Sequence, residues 1–208
     1  MFRRFALGIA LAAAAFTSAA LQTSQAQKMA PPAPSSTDKP NAAPAAPSAT
    51  TAQPGDPFGE DTTLTAKPMV YVKGTGNWDN AFETITKSLK TVKAYVDKEG
   101  LKVDGQPMTL FTATDDTGFQ YEAAIPVTEA PKTPPHGDIA VGTSPEGRAL
   151  KFVHRGSYDG LDNTYEAITN YLDEHRLEAK DMFIEQYQTD PMTTNEDHLV
   201  VDVYVMVK

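Results

Sequence analysis

The sequence predicts an α+β fold: a duplicated βαββ unit with an antiparallel sheet and two main helices. A pattern of aromatic, glycine and apolar positions recurs at an offset near 80 residues. Each copy reads strand, helix, strand, strand by the period of its apolar residues. Two helices are also too few to wrap both faces of a parallel sheet with this many strands, whereas antiparallel strands join through short turns.

In the first copy Tyr71-Val72-Lys73 precedes Gly76-Asn77-Trp78; in the second Phe152-Val153-His154 precedes Gly156-Ser157-Tyr158. Phe82-Glu83-Thr84-Ile85 aligns with Tyr165-Glu166-Ala167-Ile168 once three residues are inserted before the second helix. Leu89 then matches Leu172, and Gly100-Leu101 matches Arg176-Leu177. The closing strands are 119–125 and 199–205. Strands are expected near 68–74, 107–114, 118–127, 138–143, 148–155, 181–188 and 198–207. In the first helix Phe82, Ile85, Leu89, Val92 and Val96 form one stripe facing a sheet. Asn77 or Asp79 is expected to cap it, and Gly100 to end it. The second helix repeats the stripe with Leu161, Tyr165, Ile168 and Leu172, with Asp162 as the expected cap. Asp115-Asp116-Thr117-Gly118 and Ser144-Pro145-Glu146-Gly147 read as turns between neighbouring strands.

Before this lies an export pattern. Arg3 and Arg4 precede an apolar run from Phe5 to Leu21, and Ser24-Gln25-Ala26 offers small residues for cleavage before Gln27. Residues 1–26 are therefore expected to be a signal peptide, and the protein periplasmic or secreted. An earlier cut after Ala19 or Ala20 fits as well. The alternative is an uncleaved inner-membrane anchor, since the run approaches the shortest spanning length of about 17 residues. Residues 27–66 read as a Pro/Ala-rich disordered linker, with prolines set among Ala, Ser and Thr. The folded domain is expected over 67–208, with repeats at about 67–130 and 138–208.

The formal net charge is −9. An acidic chain is repelled by phosphate backbones, which argues against a nucleic-acid partner. The chain contains no cysteine, so neither disulfides nor thiol chemistry is available. His136, His154, His175 and His198 have no metal-ligand spacing. Neither a metal nor another cofactor is expected, and His154 reads as a satisfied structural histidine. No nucleophile elbow surrounds Ser144 or Ser157.

In the second copy His154-Arg155-Gly156-Ser157-Tyr158-Asp159-Gly160-Leu161 precedes an amphipathic helix. Glu185-Gln186-Tyr187-Gln188-Thr189-Asp190-Pro191 and a closing strand follow. This pattern resembles the GyrI-like small-molecule-binding domain, also called the AraC effector-binding domain, over Lys67 to Lys208. The chain departs from the family pattern at Tyr171, Asp202 and Met206, whereas Glu122 and Pro126 of the first copy keep it. The resemblance implies two repeats about a pseudo-two-fold axis. It also implies a groove for hydrophobic, often cationic, small molecules, and a pocket glutamate at Glu185.

Two-residue alternation puts Glu185 on one strand face with Phe183 and Tyr187. A carboxylate among aromatic rings is poorly hydrated and gains from a cationic ligand. Trp78, Tyr158 and Tyr165 lie at or near the starts of the helices. Together with Tyr71, Phe119, Tyr121 and Phe183 they are candidates to line an apolar cleft. The function expected is binding of an amphipathic, possibly cationic, small molecule at the cell envelope, for sensing or sequestration. One alternative is a hydrolase of toxic small molecules in which Glu185 activates water. The other is an envelope protein-interaction module. A membrane is a partner only if the signal segment is uncleaved, and the sequence leaves oligomeric state open.

Overall fold

The computed structural model describes residues 56–208. The expected signal peptide and residues 27–55 of the expected linker lie outside the described residues.

Eight strands and two helices follow one another along the chain: β1 (Phe58–Leu64), β2 (Pro68–Asn77), α1 (Ala81–Lys98), β3 (Met108–Thr114), β4 (Gly118–Pro126), β5 (Ile139–Thr143), β6 (Gly147–Gly156), α2 (Leu161–His175), β7 (Ala179–Tyr187) and β8 (Leu199–Val207). The strands form one sheet in the order β1-β6-β8-β7-β3-β4-β2-β5, and every pairing is antiparallel. The two copies are thus β2-α1-β3-β4 and β6-α2-β7-β8, joined at the centre of the sheet by β3 and β7.

Two features depart from the sequence expectation. β1 lies inside the stretch expected to be linker, because Thr62, Thr63 and Leu64 pair with β6 and Phe58 packs edge-on against Phe152 at 5.0 Å. In addition, Ser144–Gly147 does not join neighbours. β5 pairs with β2 of the first copy, and β6 lies near the other end of the sheet order. The strand preceding each copy therefore pairs with the other copy.

This exchange makes the sheet curl. β1 and β2 stand first and seventh in the order, about 29 Å apart if the sheet were flat. Only residues 65–67 join them, a reach of about 14 Å. β5 and β6 are joined as tightly across the same gap. The two connectors bond to each other: the Lys67 amide donates to Ser144 Oγ at 3.0 Å, and the Ser144 amide donates to the Lys67 carbonyl at 2.8 Å. The inner face of the curled sheet holds Met69, Met108, Leu110, Ile184, Tyr204 and Met206. Both helices pack on the outer face.

The α1 stripe behaves as its period demands: Ile85, Leu89, Val92 and Val96 are inaccessible. Phe82 is only partly buried and meets Tyr158 at 5.1 Å between ring centres. The helix starts differ from expectation. Each helix is preceded by a one-turn 3-10 helix, Trp78–Asn80 or Tyr158–Gly160, and Asp162 sits inside the first turn of α2, not at its cap. In the second copy Ser157 Oγ accepts from the Gly160 amide, so the cap belongs to the 3-10 turn.

The helix ends match as aligned. Gly100 and Arg176 both take positive φ, 63° and 54°, and the following amides, of Leu101 and Leu177, reach back to Val96 and Leu172. A left-handed arginine costs free energy that glycine does not. The left-handed conformation costs an L-residue about 1–2 kcal/mol, and glycine's larger entropy loss on folding takes back about 0.5–1 kcal/mol. Arg176→Gly is therefore expected to stabilise the protein by up to about 1 kcal/mol, read as a higher midpoint in thermal unfolding. Gly118 has the opposite constraint, since a Cβ there would run into the Gly76 carbonyl oxygen across the β2–β4 pair. Gly118→Ala is expected to cost about 2 kcal/mol or more, measured by urea unfolding.

Candidate ligand pocket

Under α2, over the outer face of β7, lies a cavity of about 350 Å³. Both copies contribute to its wall. The 3-10 turn and first residue of α1 supply Trp78, Asp79 and Ala81; the β3–β4 hairpin supplies Thr114, Asp116 and Thr117. The rest comes from the 3-10 turn before α2, α2 itself, β7 and Val205 of β8. The apolar stripe read from the second helix is also pocket wall: Leu161, Tyr165, Ile168 and Leu172 all face the cavity.

Glu185 forms part of this wall and is 1% exposed. Three phenols donate to its carboxylate. Tyr165 reaches Oε1 at 2.8 Å, while Tyr187 and Tyr158 reach Oε2 at 2.8 and 3.2 Å. Tyr187 also meets the Thr109 hydroxyl at 3.1 Å, from the strand paired with β7. Burial pushes the Glu185 carboxyl up to about 7, partly offset by the Tyr165, Tyr187 and Tyr158 hydrogen bonds, which favour the charged form. The same burial, and then the charge on Glu185, hold all three phenols well above the usual tyrosine range, so they remain donors.

The rings make a continuous stack, with Phe111 buried behind the lining residues Trp78 and Phe183. Trp78 stacks on Phe111 at 6.4 Å, Phe111 on Phe183 at 4.9 Å, and Phe183 meets Tyr165 at 5.1 Å. The indole Nε1 donates to the Asp115 carbonyl at 2.8 Å, which fixes Trp78 against the hairpin. That hairpin is itself held by Asp115 Oδ1, which accepts from the Thr117 amide at 2.7 Å and the Gly118 amide at 3.0 Å.

Of the residues singled out from sequence, Glu185, Trp78, Tyr158, Tyr165 and Phe183 line the cavity, and Tyr187 touches it through Glu185. The other three do not meet there. Phe119 lies behind Trp78, at 4.8 Å between ring centres. Tyr121 is buried with its hydroxyl 2.8 Å from Ser88 Oγ. Tyr71 is on the inner face, because on β2 it is Val70 and Val72 that turn toward α1.

Asp79, Asp116, Asp162 and Lys180 also line the cavity, although the sequence offered the aspartates only as cap or turn residues and Lys180 not at all. The three aspartates sit in turns and helix starts, where charge carries no periodic signal, and Lys180 is the second residue of β7. Burial, and then Asp159, raise the Asp162 carboxyl above its usual range. Among the described residues no group of three or more His, Cys, Asp or Glu is placed to hold a metal ion.

No curated protein matches the chain by sequence, but solved structures share its fold. The C-terminal domain of EcmrR superposes with a TM-score of 0.61 at 15% identity, covering 73% of this chain and 98% of that one. In the DNA complex of EcmrR the score is 0.63 at 16% identity, with 73% of this chain and 57% of that one covered. This chain thus spans little more than half of that regulator. A hydrolase from Listeria innocua gives 0.54 at 15% identity, over 74% and 93% of the two chains. SAV2435 bound to tetraphenylphosphonium gives 0.50 at 17%, over 73% and 94%. At these identities the likeness is one of fold. The family model for the GyrI-like small molecule binding domain matches residues 62–208, the whole duplicated unit with its buried glutamate, and the chain belongs to that family.

Proposed function

We propose that the cavity binds an amphipathic organic cation, with the aromatic wall taking its apolar part and Glu185 its charge. The observation that carries this reading is a carboxylate 1% exposed in an aromatic cavity, balanced by three phenols and, among the described residues, by no cationic side chain in hydrogen-bonding contact. A desolvated anion of this kind gains strongly from an opposite charge, and aromatic faces add attraction for cations. The tetraphenylphosphonium held by SAV2435, a structure of the same fold, supplies a probe of suitable chemistry. The export pattern of residues 1–26 supports placing this binding in the cell envelope, for sensing or sequestration. Mass spectrometry of protein from its own envelope is expected to show Gln27 at the N-terminus.

The test is titration calorimetry with tetraphenylphosphonium across pH. The free carboxyl titrates at about 7, and the cation favours its ionised form. Binding near neutral pH should therefore release a proton. Affinity should rise about tenfold from pH 6 to pH 8. A flat profile without proton release would remove Glu185 from the reading.

The hydrolytic alternative draws on the same carboxyl, whose pKa near 7 suits a general base. Against it, both oxygens are already engaged by phenols. Mass spectrometry of a compound incubated with the protein decides between the two: binding leaves it intact, and a product lost in Glu185→Gln establishes the enzyme.

A further inference from the structure

Tyr158 and Tyr165 hold Glu185 from two different pieces of chain, the 3-10 turn before α2 and α2 itself. One imidazole lies between those pieces. His154 of β6 is 2% exposed; its Nε2 is 2.9 Å from the Ser157 carbonyl oxygen, and its Nδ1 is 2.8 Å from Thr164 Oγ1. A carbonyl only accepts, so Nε2 carries the hydrogen. In the neutral ring Nδ1 then accepts from the Thr164 hydroxyl. Burial lowers the pKa of the ring, in keeping with that neutral form. Thr164 is inaccessible. The turn lies close against the ring, since a Cβ on Gly160 would come within 3.3 Å of His154 Cε1.

The two partners stand immediately before the two tyrosines: Ser157 precedes Tyr158 and Thr164 precedes Tyr165. We infer that His154 is a positioning residue of the pocket. Its imidazole ties the backbone ahead of Tyr158 to the helical turn ahead of Tyr165, and thereby sets both phenol hydroxyls on Glu185. A phenyl ring fills the same space but leaves the Ser157 carbonyl and the Thr164 hydroxyl without this partner, so volume alone does not reproduce the strut. The inference builds on the proposed role of Glu185 as charge partner, but it has a readout that needs no ligand.

That readout is the protonation midpoint of Glu185 in the full chain. It is followed by the infrared carbonyl band of the protonated carboxyl and assigned by difference from Glu185→Gln. Thr164→Val, which keeps the side chain's shape, and His154→Phe are each expected to raise the midpoint by about one pH unit, because displaced phenols no longer stabilise the carboxylate. Tetraphenylphosphonium affinity at pH 7 should fall about fivefold as the charged fraction drops. Thr164→Ser, which keeps the hydroxyl, should restore both. A folded Thr164→Val protein with the wild-type midpoint overturns the inference, even if its melting temperature is lower, since that outcome describes ordinary core packing. If wild type fails to bind tetraphenylphosphonium, the binding reading falls while the infrared midpoint still decides the role of His154.

Discussion

Glu185→Gln is expected to weaken binding of tetraphenylphosphonium about 100-fold at pH 8. The substitution keeps the shape of the side chain and replaces a desolvated anion by a neutral amide. Breaking a buried charge pair by removing one partner costs about 3–5 kcal/mol. The lower end corresponds to about two decades of affinity. The loss should be selective. Triphenylphosphine oxide, a neutral aromatic probe, gains nothing from the carboxylate, so its affinity should be unchanged or higher in the mutant. Calorimetry with both probes separates charge from shape. An equal loss for the two would mean that the amide had simply distorted the pocket, and an unchanged cation affinity would mean that Glu185 does not face the ligand.

The same substitution should make the protein more stable at alkaline pH. The folded carboxyl titrates at about 7 against an ordinary value of 4.5. Between those values the unfolded chain has lost the proton while the folded one retains it. The folded state therefore binds more protons, and stability falls as pH rises through this window. Above pH 7 the whole penalty is present, about 3 kcal/mol for a shift of this size. Glutamine carries no such penalty, although its amide hydrogens must find acceptors among the three phenols. We expect Glu185→Gln to be more stable than wild type by about 2 kcal/mol at pH 8, and the advantage to shrink toward pH 5. Urea unfolding of both proteins at the two pH values measures this, and taking the difference cancels every other titrating group. Parallel pH profiles would place the carboxyl in water. A stability cost carried by the residue proposed to bind fits the trade-off between stability and function.

The two expected outcomes have a common cause. The duplicated unit buries the Glu185 carboxyl in the wall of a cavity lined by both copies, and three tyrosines hydrogen-bond it there. On the proposed reading, ligand and proton compete for that carboxylate.

The periods in the sequence determined a good deal by themselves. A repeat of apolar residues every three or four positions can bury only one stripe of a helix, so the α1 stripe and the matched helix ends at Gly100 and Arg176 were legible. Alternation along a strand leaves only two choices of face, so Glu185, Phe183 and Tyr187 could be placed together before any coordinates. Which face of one strand meets which face of another is set by pairing between distant segments, and no local period encodes that. Tyr71 went to the inner face for this reason. Phe58–Leu64 became a strand because β6 offered it a partner, and the short links 65–67 and 144–146 joined opposite ends of the sheet only because the sheet curls. The strut from His154 to Ser157 and Thr164 likewise exists only where a strand, a turn and a helix meet, since a hydrogen bond requires atoms within about 3 Å, a condition that sequence spacing alone does not impose.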